Sequence, residues 1–197
     1  MSGELAGATG RLIGLEMLWD EVDNREAYPF SIPALARLRE LSFDRPVTFL
    51  VGENGSGKST LLEGLAVAAG LNNVASAYQE IEGGPDYHKS CHGESFLDVV
   101  GGRFRGPGLY LMDEPESALS VMGQLQLLVH MEQAVAQGGQ FVIVSHSPIL
   151  TAFPEAVIYR LNEAGISEAG YTETDPYQLT KSFLESPMGF LQHLLPN

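Results

Sequence analysis

Apolar positions along this chain fall into two alternating patterns. Short runs dominated by apolar, β-branched and aromatic residues read as buried strands. They occupy 12–19, 47–52, 108–114 and 140–146. Helical spacing of apolar residues marks 58–70, where Leu61, Leu62, Leu65 and Ala69 share a face and Gly70 stops the run. A longer helix is predicted over 121–139, ending at a glycine pair, and a shorter one over 95–104. Residues 28–38 begin with two prolines and then turn helical, 71–90 are polar and glycine-rich and read as loop, and 156–162 with 165–172 read as a hairpin. The tail, 177–196, reads as two short helices split near Pro187. Strands alternating with helices predict an α/β fold with a mostly parallel sheet covered by helices on both faces. Ligands in such folds collect at the carboxyl ends of the strands.

Those ends carry the informative residues. The stretch GENGSGKS at 52–59 fits G-x-x-x-x-G-K-[ST], with a predicted strand before it and a predicted helix after it. Gly52, Gly55 and Gly57 let the backbone curl so that loop amides, those of Asn54 and Ser56 among them, face phosphate oxygens. The helix starting near Lys58 turns its positive end to the same anion. Lys58 reaches the β and γ phosphates, Ser59 offers an oxygen to Mg²⁺, and Thr60 can bond the α phosphate. Asp113, at the end of the 108–114 strand, suits Mg²⁺ as well. Glu114 follows, where a carboxylate can take a proton from an attacking water. His146 ends the next strand, within reach of the γ phosphate and Glu114, although a buried structural histidine is the alternative reading.

The three stretches GENGSGKST, LYLMDEPESALS and FVIVSHSP together resemble the ATP-binding-cassette (ABC) ATPases. The likeness is strongest to the soluble branch of chromosome-maintenance and double-strand-break-repair ATPases, and within it to small bacterial ATPases of the AAA type. YPFSIPAL, HGESFL and TKSFLESPMGFLQHLL extend the resemblance over most of the chain. It implies one P-loop NTPase domain over 1–197, with a reduced helical and signature segment at 71–95 and a helical tail at 173–197. It implies ATP and Mg²⁺ as ligands, hydrolysis as the activity, and catalytic roles for Glu114 and His146.

The resemblance also places a signature motif, approximately Leu-Ser-Gly-Gly-Gln, on the stretch around Cys91, His92 and Gly93. In the family that motif closes an ATP site on the other subunit of a head-to-tail dimer. The chain departs from it: Cys91 stands for serine, His92 for glycine and Glu94 for glutamine, Ser120 stands where many relatives have aspartate, and the gap after Lys58 is short. Gln79 is the one glutamine in that gap, and so the candidate for the family's lid glutamine. Tyr28 is the match for an adenine-stacking aromatic, with core packing as the other reading. Two further readings of Cys91 and His92 are weaker. Zinc needs about four ligands, and there is one cysteine. A thiol–imidazole pair needs side chains that aim at each other, which chain neighbours rarely do.

Composition narrows the partners. A formal charge of −14 repels nucleic-acid backbones on average, so an ATPase working on nucleic acid is possible but not favoured by charge. No apolar run is long enough for a bilayer, no signal peptide is read at the start, and the single cysteine suits a reducing compartment, so a cytoplasmic location is expected. The expected partner is a second copy bound in an ATP-dependent way, or another protein. A nucleotide-binding regulatory module with little turnover is the alternative function.

Overall fold

The computed structural model describes residues 2–6, 11–70, 79–80 and 107–195. A six-stranded sheet is built from β4 (Val47–Gly52), β5 (Gln79–Glu80), β6 (Gly108–Asp113), β7 (Gly139–Val144), β8 (Val157–Asn162) and β9 (Gly165–Glu168). Its order is β5-β6-β7-β4-β8-β9. The four central strands run parallel, and β5 and β9 are antiparallel edges. The parallel-sheet expectation holds, because β4 and β7 are apolar on both faces and are buried nearly throughout.

Alternation along β4 divides the core. Leu50 joins one apolar cluster with Leu61, Leu62, Leu65, Val142 and Val144. Val47, Phe49 and Val51 join the other with Leu127, Met131, Phe141 and Ile143. The first cluster lies under α2 (Lys58–Ala68) and the second under α3 (Val121–Ala136).

The cover of the first face differs from the expectation of helices alone. A second, antiparallel sheet, β1 (Ser2–Ala6), β2 (Arg11–Glu16) and β3 (Glu40–Ser42), shares it. The run at 12–19 therefore ends as a strand at Glu16. Leu12 and Leu15 point into the core, whereas Ile13 is exposed, so β2 buries one face rather than two. Beyond it the chain turns, with the Trp19 indole N–H donating to the Leu38 carbonyl. Gln140 ties the small sheet to β7. Its buried amide accepts from Leu12 N–H at 2.8 Å and donates to the carbonyls of Leu12 at 2.7 Å and Phe43 at 3.2 Å.

Three other expectations are adjusted. The prolines at 28–38 lead into only a four-residue helix, α1 (Pro33–Ala36). Residues 79–80, expected in a loop, pair as β5 with Tyr110 and Leu111 of β6. The hairpin's second strand stops at Glu168, followed by a turn at Tyr171–Glu173. The tail forms α4 (Asp175–Glu185) and α5 (Pro187–Leu194), divided at Pro187 as expected. The predicted helix at 95–104 lies outside the described residues.

Candidate nucleotide site

The site forms where three neighbouring parallel strands end. Register aligns Leu50 of β4, Val144 of β7 and Asp113 of β6, so the segments leaving these strands emerge side by side. From β4 comes the glycine loop, from β6 the acidic pair, and from β7 the turn bearing His146.

Two glycines in the loop are sterically required. Gly52 has φ +150°, and a Cβ there would lie 2.3 Å from the Leu161 carbonyl oxygen and 2.9 Å from Ser56 Oγ. Gly57 has φ +99°, and a Cβ there would meet Ile32 at 2.9 Å. Gly57 is also the N-cap of α2, with Lys58, Ser59 and Thr60 forming the first turn. Asn54 and Gly55 are exposed at the tip of the loop, whereas Ser56 is half-buried. Ser56 Oγ is buried with no hydrogen-bond partner among the described residues.

Lys58 is buried at the base of the loop, and its ammonium donates to the carbonyls of Gly52 and Glu53, both at 2.9 Å. Burial lowers its pKa, and the negative charges of Glu114 and Asp113 oppose that shift. Ser59 Oγ donates to Asp113 Oδ1 at 3.3 Å, which brings together two residues 54 positions apart. Burial raises the Asp113 pKa; the Ser59 hydrogen bond lowers it, and the neighbouring Glu114 charge adds to the rise. A hydroxyl and a carboxylate oxygen at this separation are the hard donor set that Mg²⁺ prefers.

Glu114 leaves β6 in the left-handed region, φ 46° and ψ 54°. Its amide donates to the Val144 carbonyl at 2.9 Å, which fixes the departure angle. That geometry turns the side chain toward β7, where Glu114 Oε1 lies 3.5 Å from His146 Nε2. The separation suits an electrostatic contact and exceeds a strong hydrogen bond; Nε2 is otherwise buried without a hydrogen-bond partner among the described residues.

Tyr28 is 70% exposed, so its ring is not part of the core. Its hydroxyl lies 3.1 Å from Thr60 Oγ1, beside the start of α2. Gln79 occupies β5 opposite Leu111, two positions before Asp113. Cys91, His92 and Gly93 lie outside the described residues. Sequence reading missed the polar groups that hold the histidine turn. Glu116 Oε1 accepts from the His146 amide at 2.5 Å, and Ser147 Oγ donates to Gln124 Oε1 at 2.5 Å. An acid so soon after an acidic pair, and a glutamine in an apolar helix, were the available signals.

A family model described as AAA domain matches residues 30–83, which include the glycine loop and α2. No curated protein matches the chain. Among solved structures, the chain is similar to an ATP-binding cassette of an ABC transporter, with 15% identity, TM-score 0.44, and coverage of 80% of this chain and 91% of that one. It is also similar to the ATP-binding subunit of an ABC transporter, with 16% identity, TM-score 0.41, and coverage of 74% and 86%. The glycine loop, the mostly parallel sheet and the AAA-domain match over residues 30–83 give this chain the architecture of a P-loop α/β domain.

Proposed function

We propose that the chain binds MgATP and hydrolyses it to ADP and phosphate. The observation that carries this reading is the meeting of Ser59, Asp113, Glu114 and His146 around the base of one glycine loop. The loop amides and the N-terminal turn of α2 hold the triphosphate. Lys58 exchanges its two carbonyl partners for anionic phosphate oxygens, which are stronger acceptors. Tyr28 stands where it can stack on the base. Ser59 and Asp113 would hold Mg²⁺, which when bound neutralises charge on the β and γ phosphates.

Hydrolysis needs a base beside the attacking water. Glu114 takes that water's proton as its oxygen forms a bond to the γ phosphorus. The bond from the γ phosphorus to the β–γ bridging oxygen breaks, and ADP departs with that electron pair. His146 orients Glu114 and faces the developing charge. Cys91, His92 and Gly93 of a second copy would close the site from the opposite side of a head-to-tail dimer.

Calorimetric titration of MgATP tests the binding half. Lys58→Ala removes the ammonium at the phosphate cradle, so affinity should fall by at least about 100-fold while the fold persists. Unchanged affinity would contradict the assigned site.

A further inference from the structure

Glu116 is left unused by this mechanism, yet it makes a demanding contact. It sits in the short turn Pro115–Ala118 that follows the acidic pair. Its Oε1 accepts from the backbone amide of His146 at 2.5 Å, joining residues 30 positions apart. Its Oε2 is buried without a hydrogen-bond partner among the described residues. Leaving a buried carboxylate oxygen without a donor carries desolvation costs. Such costs persist where the contact they permit is needed.

The remainder of the turn is secured separately. Ser147 N–H donates to Ser145 Oγ at 3.0 Å. Ser147 Oγ donates to Gln124 on α3 and accepts from the amides of Ile149 at 3.1 Å and Leu150 at 3.2 Å. Tyr171 O–H donates to the Pro148 carbonyl at 2.9 Å. These bonds fix the turn downstream of His146. At His146 itself, the side-chain tether runs from Glu116, in the same short segment as Glu114.

From this geometry we infer that Glu116 is a positioning residue: its carboxylate clamps the His146 backbone and so sets the imidazole against Glu114. The inference rests on the hydrolytic reading above for its consequence, though not for the contact itself. Because acidic pair and clamp leave β6 together, a movement of that segment carries Glu114 and His146 as one unit. Loss of the clamp frees the imidazole without removing any group that touches nucleotide. The defect then falls on kcat rather than on binding.

The test compares Glu116→Ala and Glu116→Gln in the full chain. Phosphate release and nucleotide affinity are measured together with the ¹H–¹⁵N resonance of the His146 amide. Glu116→Ala should lower kcat by about 10- to 100-fold, with KM for ATP changed by less than about twofold. Its His146 amide proton should move upfield, as the bond to a carboxylate is lost. Glu116→Gln keeps an acceptor oxygen, and should recover kcat to within about threefold of the parent. A parental kcat in Glu116→Ala, or a folded Glu116→Gln as slow as Glu116→Ala, would overturn the inference. If the parent itself releases no phosphate, the hydrolytic reading fails on its own. The amide then still decides the clamp: an upfield move in Glu116→Ala supports it, and an unmoved resonance overturns it.

Discussion

At the residue scale, burial sets the proton affinity of Asp113. Burial raises its pKa, so the folded chain holds that proton more tightly than the unfolded chain. Between the ordinary carboxylate value and the raised one, the folded state binds more protons. Stability from this group therefore increases as pH falls through that window, and its penalty is complete above it. Asp113→Asn keeps an acceptor for Ser59 and removes the charge. At neutral pH the variant should melt slightly higher than the parent, by roughly 1–2 °C, and the gain should shrink on acidification through the window. The same variant should lose Mg²⁺-dependent tightening of ATP binding. Thermal scans with and without MgATP from acid to neutral pH check both; a variant less stable than its parent at neutral pH would contradict the assignment of the burial penalty.

Where Ser59, Asp113, Glu114 and His146 gather was legible in the sequence. The glycine spacing, the adjacent Lys58 and the acids at a strand end are local signals, and local signals survive in one dimension. The clamp was not legible, because the partners Glu116 and His146 meet only after β6 and β7 pair. Tyr28 was ambiguous between stacking and packing; only its exposure beside Thr60 shows that it lies outside the core.

At the element scale, the parallel strands announced themselves through runs dominated by apolar residues, and the small antiparallel sheet did not. β1 has the composition SGELA, poor in strand-forming side chains, and β3 has three residues. Their strand character comes from pairing with β2 rather than from propensity. Gln140 joins this sheet to β7, and its polarity at the start of an apolar run gave no hint of burial. Gln140→Leu would leave the amide of Leu12 without this acceptor and the carbonyls of Leu12 and Phe43 without this donor. The expected loss is about 2–3 kcal/mol, or roughly 4–12 °C in Tm. A denaturation series reads it, and a change below about 0.5 kcal/mol would mean the two sheets are held together by apolar packing alone.

At the scale of the whole molecule, the proposed mechanism needs more than one chain if the stretch around Cys91 serves a second copy's γ phosphate. Light scattering on Glu114→Gln, which should retain nucleotide, tests this: the expected result is one chain's mass alone and two chains' mass with MgATP. A single chain's mass throughout, with ATP bound, would confine the site to one copy or assign the closing half to a different protein. Among the described residues no helix is long and apolar enough to cross a membrane. The formal charge of −14 makes association with another acidic surface dependent on salt.

In the proposed mechanism, Glu114 is the group that turns binding of a triphosphate into its hydrolysis. The most direct test of that role is phosphate release from MgATP by the parent and by Glu114→Gln, each shown by titration to bind nucleotide. Turnover is expected in the parent, with a loss of at least about 100-fold in Glu114→Gln and affinity retained. Equal phosphate release by the two proteins would contradict that role.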